Sequence, residues 1–315
     1  MDYKSLAKFT VYFLILLTII LLVWLLVHDS GISLKDIFST KINTQASLLN
    51  EDVSFGTQIL KPTRDWSVED LKINAESAIV VETNLPNSDK VLFKKNENEQ
   101  LPIASLTKLM TALVVLENYD INQITSVSSE AVLQQGGQGL LNAGERLSVN
   151  NLLYIMLVES SNDAAYSLAE IKGVEEFLGL MGLEAEKLGL SSTNFADVMG
   201  LSPDNRSTAE DLVKITKYIS EKYPQIWEIL SLDKYRLYTS QGFHHELLST
   251  NELLGKIPDI VGGKTGLTPE AKGCILLLLK NEKDKNYIIY VVLGSDDRFV
   301  EMQNLISWVD RTYRW

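Results

Sequence analysis

The chain has 315 residues, enough for a large buried core, and its 41 acidic against 29 basic side chains give a formal net charge of −12. That balance, without a basic cluster, argues against a nucleic-acid partner. One cysteine, Cys274, excludes an internal disulfide scaffold, and three histidines (His28, His244 and His245) with no metal-ligand spacing predict no metal; nothing in the pattern implies a cofactor.

Phe9 to Val27 is an uncharged run of 19 residues, long enough to cross a bilayer core as a helix. Residues 9–28 are expected to remain as an anchor, because the run exceeds a signal peptide's apolar region and no small-x-small cleavage site follows. Lys4 and Lys8 before the span and Asp29 after it place residues 1–8 in the cytoplasm and everything beyond His28 outside. Residues 29–73 are mixed and aperiodic, as in a stalk or a loosely docked approach segment. A folded domain is expected over 74–315.

Within that domain, Ser77 to Glu82 and Val91 to Phe93 read as strands joined by the turn residues Asn84 to Asp89. Apolar spacing predicts helices over Ser105 to Asn118 and Val149 to Val158, the second capped by Ser148. The polar stretch Glu159 to Asp163 interrupts the pattern before Ala164 to Ala169 resumes it. Further helices are expected over Val174 to Leu188 and Ala209 to Ile219, the latter capped by Ser207 or Thr208. Cys274 to Leu279 and Tyr287 to Leu293 read as strands, and Phe299 to Trp315 as an amphipathic helix with Met302, Leu305, Ile306 and Val309 on one face. Strands from the two ends can share one antiparallel sheet while the central helices form a second lobe, an α+β arrangement with a cleft between.

Ser105 and Lys108 lie one helical turn apart, so a neutral Lys108 amine would reach the Ser105 hydroxyl as a base. The S-x-x-K spacing is weak alone, since it recurs at Ser5 to Lys8 and Ser231 to Lys234. S-x-N, at Ser160 to Asn162, also recurs, at Ser148, Ser192 and Ser249; Ser148 reads as a helix cap and the others lie in polar segments. Lys264-Thr265-Gly266 is the single K-T-G. Context separates the copies: Ser5 lies across the expected membrane from the other elements, and Ser231 is too close to Lys264 for a helical lobe to intervene.

The ordered set S-x-x-K, S-x-N and K-T-G resembles the penicillin-recognising serine enzymes. The flanks Pro102 to Ala112, Glu159 to Ala165 and Gly263 to Thr268 are similar to the D-alanyl-D-alanine carboxypeptidases, the low-molecular-mass penicillin-binding proteins. The resemblance implies a β-lactamase/transpeptidase-like fold and an exported bacterial enzyme held in the cell membrane by its single span. Its substrate would be the peptidoglycan stem peptide ending in D-Ala-D-Ala, and β-lactam antibiotics would acylate it. Ser105 would be the nucleophile, Lys108 its base and Ser160 a proton relay. Asn162, Lys264, Thr265, Gly266 and Leu267 would bind substrate, with the Ser105 and Leu267 N–H groups as oxyanion hole. Two departures from the family are noted: its common Asn-Pro-His-Gly-Leu is here Asp197-Val-Met-Gly-Leu201, and the β-rich C-terminal domain of many members is not expected to follow the last predicted helix. One alternative is a class A-like β-lactamase, opposed by the lack of any glutamate between Ser191 and Ser207. Another is a catalytically silent wall- or drug-binding protein, which would require the Asp197 to Leu201 loop to close the site. A Ser-His-Asp triad has no suitable serine elbow.

Overall fold

A computed structural model describes Thr18 and residues 62–84, 88–136, 140–281 and 286–315. Apart from Thr18, the Phe9 to Val27 run, the 1–8 tail and residues 29–61 lie outside the described residues. Among the described residues no helix is long and apolar enough to cross a membrane.

The centre of the domain is a five-stranded antiparallel sheet in the order Ile260–Thr268, Lys272–Lys280, Tyr287–Ser295, Ser77–Asn84, Ser88–Lys95. Both ends of the domain therefore contribute strands, as the sequence pattern predicts. The Lys272–Lys280 strand carries no polar side chain between its two terminal lysines because both of its faces are covered there. Cys274, Leu276 and Leu278 join the apolar cluster of the helical lobe, while Ile275, Leu277 and Leu279 join a second cluster on the opposite face. Tyr287–Ser295 alternates likewise, with Ile289, Val291 and Leu293 to one side and Ile288, Tyr290 and Val292 to the other. Met302, Leu305, Ile306, Trp308 and Val309 of the helix Arg298–Thr312 seal the second face. Each such fully buried Leu or Ile side chain contributes about 1.5–3 kcal/mol of transfer free energy.

The helical lobe is built from Lys108–Asn118, Val149–Val158, Asn162–Glu170, Val174–Lys187 and Ala209–Lys222. Ser148 caps its helix by accepting from Asn151 N at 3.1 Å, and Thr208 caps the last by accepting from Asp211 N at 3.0 Å. Serine and threonine hydroxyls satisfy here the amide protons that have no partner in the first turn.

Of the features that differ from the expected elements, three stand out. The helix placed at Ser105 opens as a 3-10 turn, Ala104–Thr107, and becomes α-helical only at Lys108. The last helix ends at Thr312, because Tyr313–Arg314 pairs antiparallel with Thr63–Arg64. Residues 62–73 therefore lie against the domain, with Trp308 Nε1 donating to Glu69 O at 2.9 Å and Ile73 buried. The third is a separate hairpin, Lys234–Tyr238 with His244–Leu248, for which the sequence pattern predicts nothing.

Candidate active site

The 3-10 turn Ala104–Thr107 carries Ser105, half-buried, on the side of the strand Ile260–Thr268. Ala104 holds φ at +45°, a left-handed conformation that costs a non-glycine residue energy and persists only where the surroundings fix it. Two glycines make the fit possible. A Cβ on Gly200, whose φ is +89°, would lie 2.0 Å from Ala104 O, and one on Gly266 would lie 3.0 Å from Ser105 N. Gly266 thus lets the strand approach the Ser105 backbone amide, with Leu267 the next residue along.

One turn after Ser105, Lys108 is fully buried. Its Nζ lies 2.9 Å from Ser105 Oγ, 2.7 Å from Asn162 Oδ1 and 2.7 Å from Met199 O. Burial lowers its pKa to about 7, against an opposing pull from the Asp197 carboxylate. The last two partners only accept hydrogen bonds. A neutral amine gives its two protons to them and turns its lone pair toward the Ser105 hydroxyl.

Ser160 sits between the helices Val149–Val158 and Asn162–Glu170 with φ at +63°, and the next residue, Ser161, caps the second helix through Ala164 N at 3.1 Å. This turn puts Ser160 Oγ 2.8 Å from the buried Lys264 Nζ, which also donates to Thr265 O at 3.0 Å. Lys264 titrates well below an ordinary lysine; burial is the main cause, and the nearby charges of Lys108 and Arg298 act in the same direction. Asn162 uses Oδ1 on Lys108 and one Nδ2 proton on Gln135 O at 2.6 Å, leaving its second amide proton for another acceptor.

The structure brings together Ser105, Lys108, Ser160, Asn162, Lys264, Thr265 and Gly266, with Leu267 exposed beside them. The unusual loop Asp197 to Leu201 belongs to this arrangement. Asp197 accepts from the amides of Met199 at 2.7 Å, Gly200 at 2.5 Å, Leu201 at 3.3 Å and Ser202 at 2.5 Å, which holds Met199 O on Lys108. Asn205, fully buried, ties the loop to the Ala104–Thr107 turn by donating to Asp197 O at 2.9 Å and Thr107 Oγ1 at 3.0 Å.

Asn205 and Arg298 are neighbours of the site with no signal in the sequence, whereas Met199 is marked only as part of the departing Asp197 to Leu201 loop and Thr250 only by the weaker family similarity at Thr250-Asn251. Arg298 opens the last helix; its Cβ would stand 3.0 Å from a Cβ on Gly273, and its Nε is buried with no hydrogen-bond partner. Met199 acts through its backbone oxygen, which carries no side-chain signature. The dipeptide Thr250-Asn251, just after the hairpin, is the one local signal available for Thr250.

The histidines lie elsewhere. His245 is buried with Nε2 2.6 Å from Glu145 Oε1, and His244 stacks on Tyr238. Cys274 pairs with Gly266 across the sheet, but burial pushes its thiol up to about 11, so it holds its proton near neutrality. Among the described residues, no group of three His, Cys, Asp or Glu side chains could hold a metal ion.

The D-alanyl-D-alanine carboxypeptidase family profile matches residues 64–297. The chain belongs to this family of serine peptidases. It is 35% identical to the D-alanyl-D-alanine carboxypeptidase DacF of Bacillus subtilis over 72% of this chain, a match that spans 59% of the relative's length. It is 31% identical to DacC of Escherichia coli over 84% of this chain and 70% of that one. It is also 31% identical to a D-alanyl-D-alanine endopeptidase of Pseudomonas aeruginosa, over 74% of this chain and 76% of that one. The Streptomyces K15 DD-transpeptidase superposes with a TM-score of 0.70 at 26% identity, covering 78% of this chain and all of its own 100%. Penicillin-binding protein D2 of Listeria monocytogenes, in a cefotaxime-bound form, gives a TM-score of 0.67 at 28% identity, over 77% and 100% of the two chains. The fold is thus the α/β penicillin-binding, transpeptidase-like one, an antiparallel sheet with helices.

Proposed function

We propose that this chain is a serine-type D-Ala-D-Ala carboxypeptidase that trims peptidoglycan stem pentapeptides and is acylated by penicillins. The observation that carries the reading is the hydrogen-bond set of Lys108, whose two pure acceptors leave its lone pair facing Ser105 Oγ at 2.9 Å. Ser105 Oγ attacks the carbonyl carbon of the penultimate D-Ala and gives its proton to Lys108 Nζ. The oxyanion sits on the Ser105 and Leu267 N–H groups. Ser160 gives its hydroxyl proton to the amine as the C–N bond breaks and takes one from the protonated Lys264 to which it is bonded, and the terminal D-Ala leaves. Water then hydrolyses the Ser105 ester: the Ser105 oxygen regains its proton from Lys108, the proton released by the new acid returns to Lys264, and water's other proton balances the one the freed amine takes up. The free Asn162 amide proton holds the substrate backbone, Gly266 lets the substrate strand lie close, and Lys264 with the Thr265 hydroxyl binds the terminal carboxylate.

A penicillin enters the same path, but its acyl-enzyme has no local glutamate between Ser191 and Ser207 to activate water, so release is slow and a β-lactamase role is disfavoured. Half-buried rather than sealed, Ser105 argues against the silent-binder reading. Residues 9–28 act as a single membrane span, with 1–8 in the cytoplasm, 29–61 as a stalk and the catalytic domain outside; the apolar run and its flanking lysines support this. Protease added to intact bacterial cells then removes the catalytic domain and leaves the N-terminal tail protected.

The test is mass spectrometry of the full chain in detergent, exposed to benzylpenicillin and to a D-Ala-D-Ala pentapeptide. A stable adduct on the Ser105 peptide and free D-Ala are expected, and both vanish in Ser105→Ala. Absence of both in the wild type, or their persistence in the variant, would sink the mechanism.

A further inference from the structure

The hairpin Lys234–Tyr238/His244–Leu248 lies outside the central sheet, yet the segment leaving it bonds both walls of the site. Leu248 N donates to the Glu159 carboxylate at 3.3 Å, and Thr250 N donates to Val158 O at 3.3 Å, two residues before Ser160. On the other wall, Thr250 Oγ1 lies 2.6 Å from Thr265 Oγ1. The far end of the hairpin is itself fixed. Glu145, fully buried, binds His245 through Oε1 at 2.6 Å and accepts from Asn142 N through Oε2 at 3.1 Å, while Gln241 Oε1 accepts from Arg146 N at 2.6 Å.

We propose that Thr250 is a positioning residue that aims the Thr265 hydroxyl proton at the terminal carboxylate of the substrate. A hydroxyl has one proton and two acceptor sites. When Thr250 donates to Thr265, the Thr265 proton is free to point at an anionic oxygen; in the reverse orientation it is spent on Thr250. A bound carboxylate, which needs donors, selects the first orientation, and the relay Thr250 to Thr265 to carboxylate is polarised along its length. Thr250 therefore acts on substrates that end in a carboxylate and leaves the attack of Ser105 untouched. This deepens the carboxypeptidase reading and rests on it.

The experiment uses the full chain in detergent with Thr250→Val, which removes the hydroxyl at nearly constant volume, and Thr250→Ser, which restores it. Acylation by benzylpenicillin and kcat/KM for a D-Ala-D-Ala peptide are compared with acylation by an uncharged peptide thioester that lacks the terminal carboxylate. Thr250→Val is expected to lower the carboxylate-dependent rates about tenfold, mainly through KM, with the thioester rate unchanged and Thr250→Ser close to wild type. Equal losses on charged and uncharged substrates, no loss at all, or a serine variant as poor as valine would each overturn the role. Failure of the underlying reading looks different: the wild type itself would be inert toward penicillin and pentapeptide.

Discussion

Two parts of the molecule each hold a fully buried lysine against a serine: Lys108 with Ser105 at 2.9 Å, and Lys264 with Ser160 at 2.8 Å. Both amines are depressed by burial, yet their surroundings differ. Burial, partly offset by the Asp197 carboxylate, brings Lys108 to about 7, and its two fixed carbonyl-type acceptors direct its lone pair at one atom. Lys264 has a single backbone acceptor beside Ser160, and the charges near it are the cations Lys108 and Arg298. A carboxylate arriving there supplies the missing negative charge and favours the protonated form. In the proposed mechanism the same residue pair serves as a base at one wall and as an anion site at the other, with neighbours deciding which.

The sharpest way to break this contrast is to remove the proposed base. Lys108→Met is expected to slow penicillin acylation by roughly 10²–10⁴-fold, measured by the rate of adduct formation. The same change is expected to raise the melting temperature. The folded-state pKa of Lys108 is about 7 and the ordinary value is 10.5, so between those values the unfolded chain binds a proton that the folded one does not. Stability gained from this group rises with pH across that window, and its burial penalty near neutrality is on the order of 5 kcal/mol, which methionine lacks.

Changing the other lysine should act on substrate charge. Lys264→Gln is expected to reduce kcat/KM for D-Ala-D-Ala peptides by about 10–100-fold, through loss of a charge-assisted contact worth roughly 1.5–3 kcal/mol. Uncharged thioesters should suffer less, and equal losses on both substrates would remove the distinction between the two walls. A smaller effect is expected from Glu145→Gln at the buried His245 pair, which anchors the hairpin. Destabilisation of about 1–3 kcal/mol, read by denaturant unfolding, should come with only a slight change in acylation.

The sheet was legible because residues buried on two faces are apolar without interruption, as in Cys274 to Leu279, and such runs have few other uses. The side chains proposed to react were legible because S-x-x-K, S-x-N and K-T-G keep their order and local context, and the structure brings them together. The supporting layer was not. Met199 contributes a carbonyl, Asn205 and Thr250 reach partners 98 and 15 residues away, and Arg298 is an ordinary first residue of a helix until Lys264 is placed near it. Asp197 illustrates the physics best: a sequence that departs from the family pattern still builds the loop, because one carboxylate collects the amides of Met199, Gly200, Leu201 and Ser202. The hairpin has no clear sequence signature because its first strand buries only Leu237 and pairs outside the main sheet. The terminal strand Tyr313–Arg314 depends on Thr63–Arg64, about the whole domain away in sequence.

The most direct test of the assignment of Lys108 as the neutral base is the pH dependence of the second-order rate constant for acylation of the wild type by benzylpenicillin. A base that titrates at about 7 accepts the Ser105 proton only above that value, so the rate should rise tenfold per pH unit below about 7 and level off above it. A rate independent of pH from 5 to 9, or one that falls as pH rises through about 7, would contradict the account.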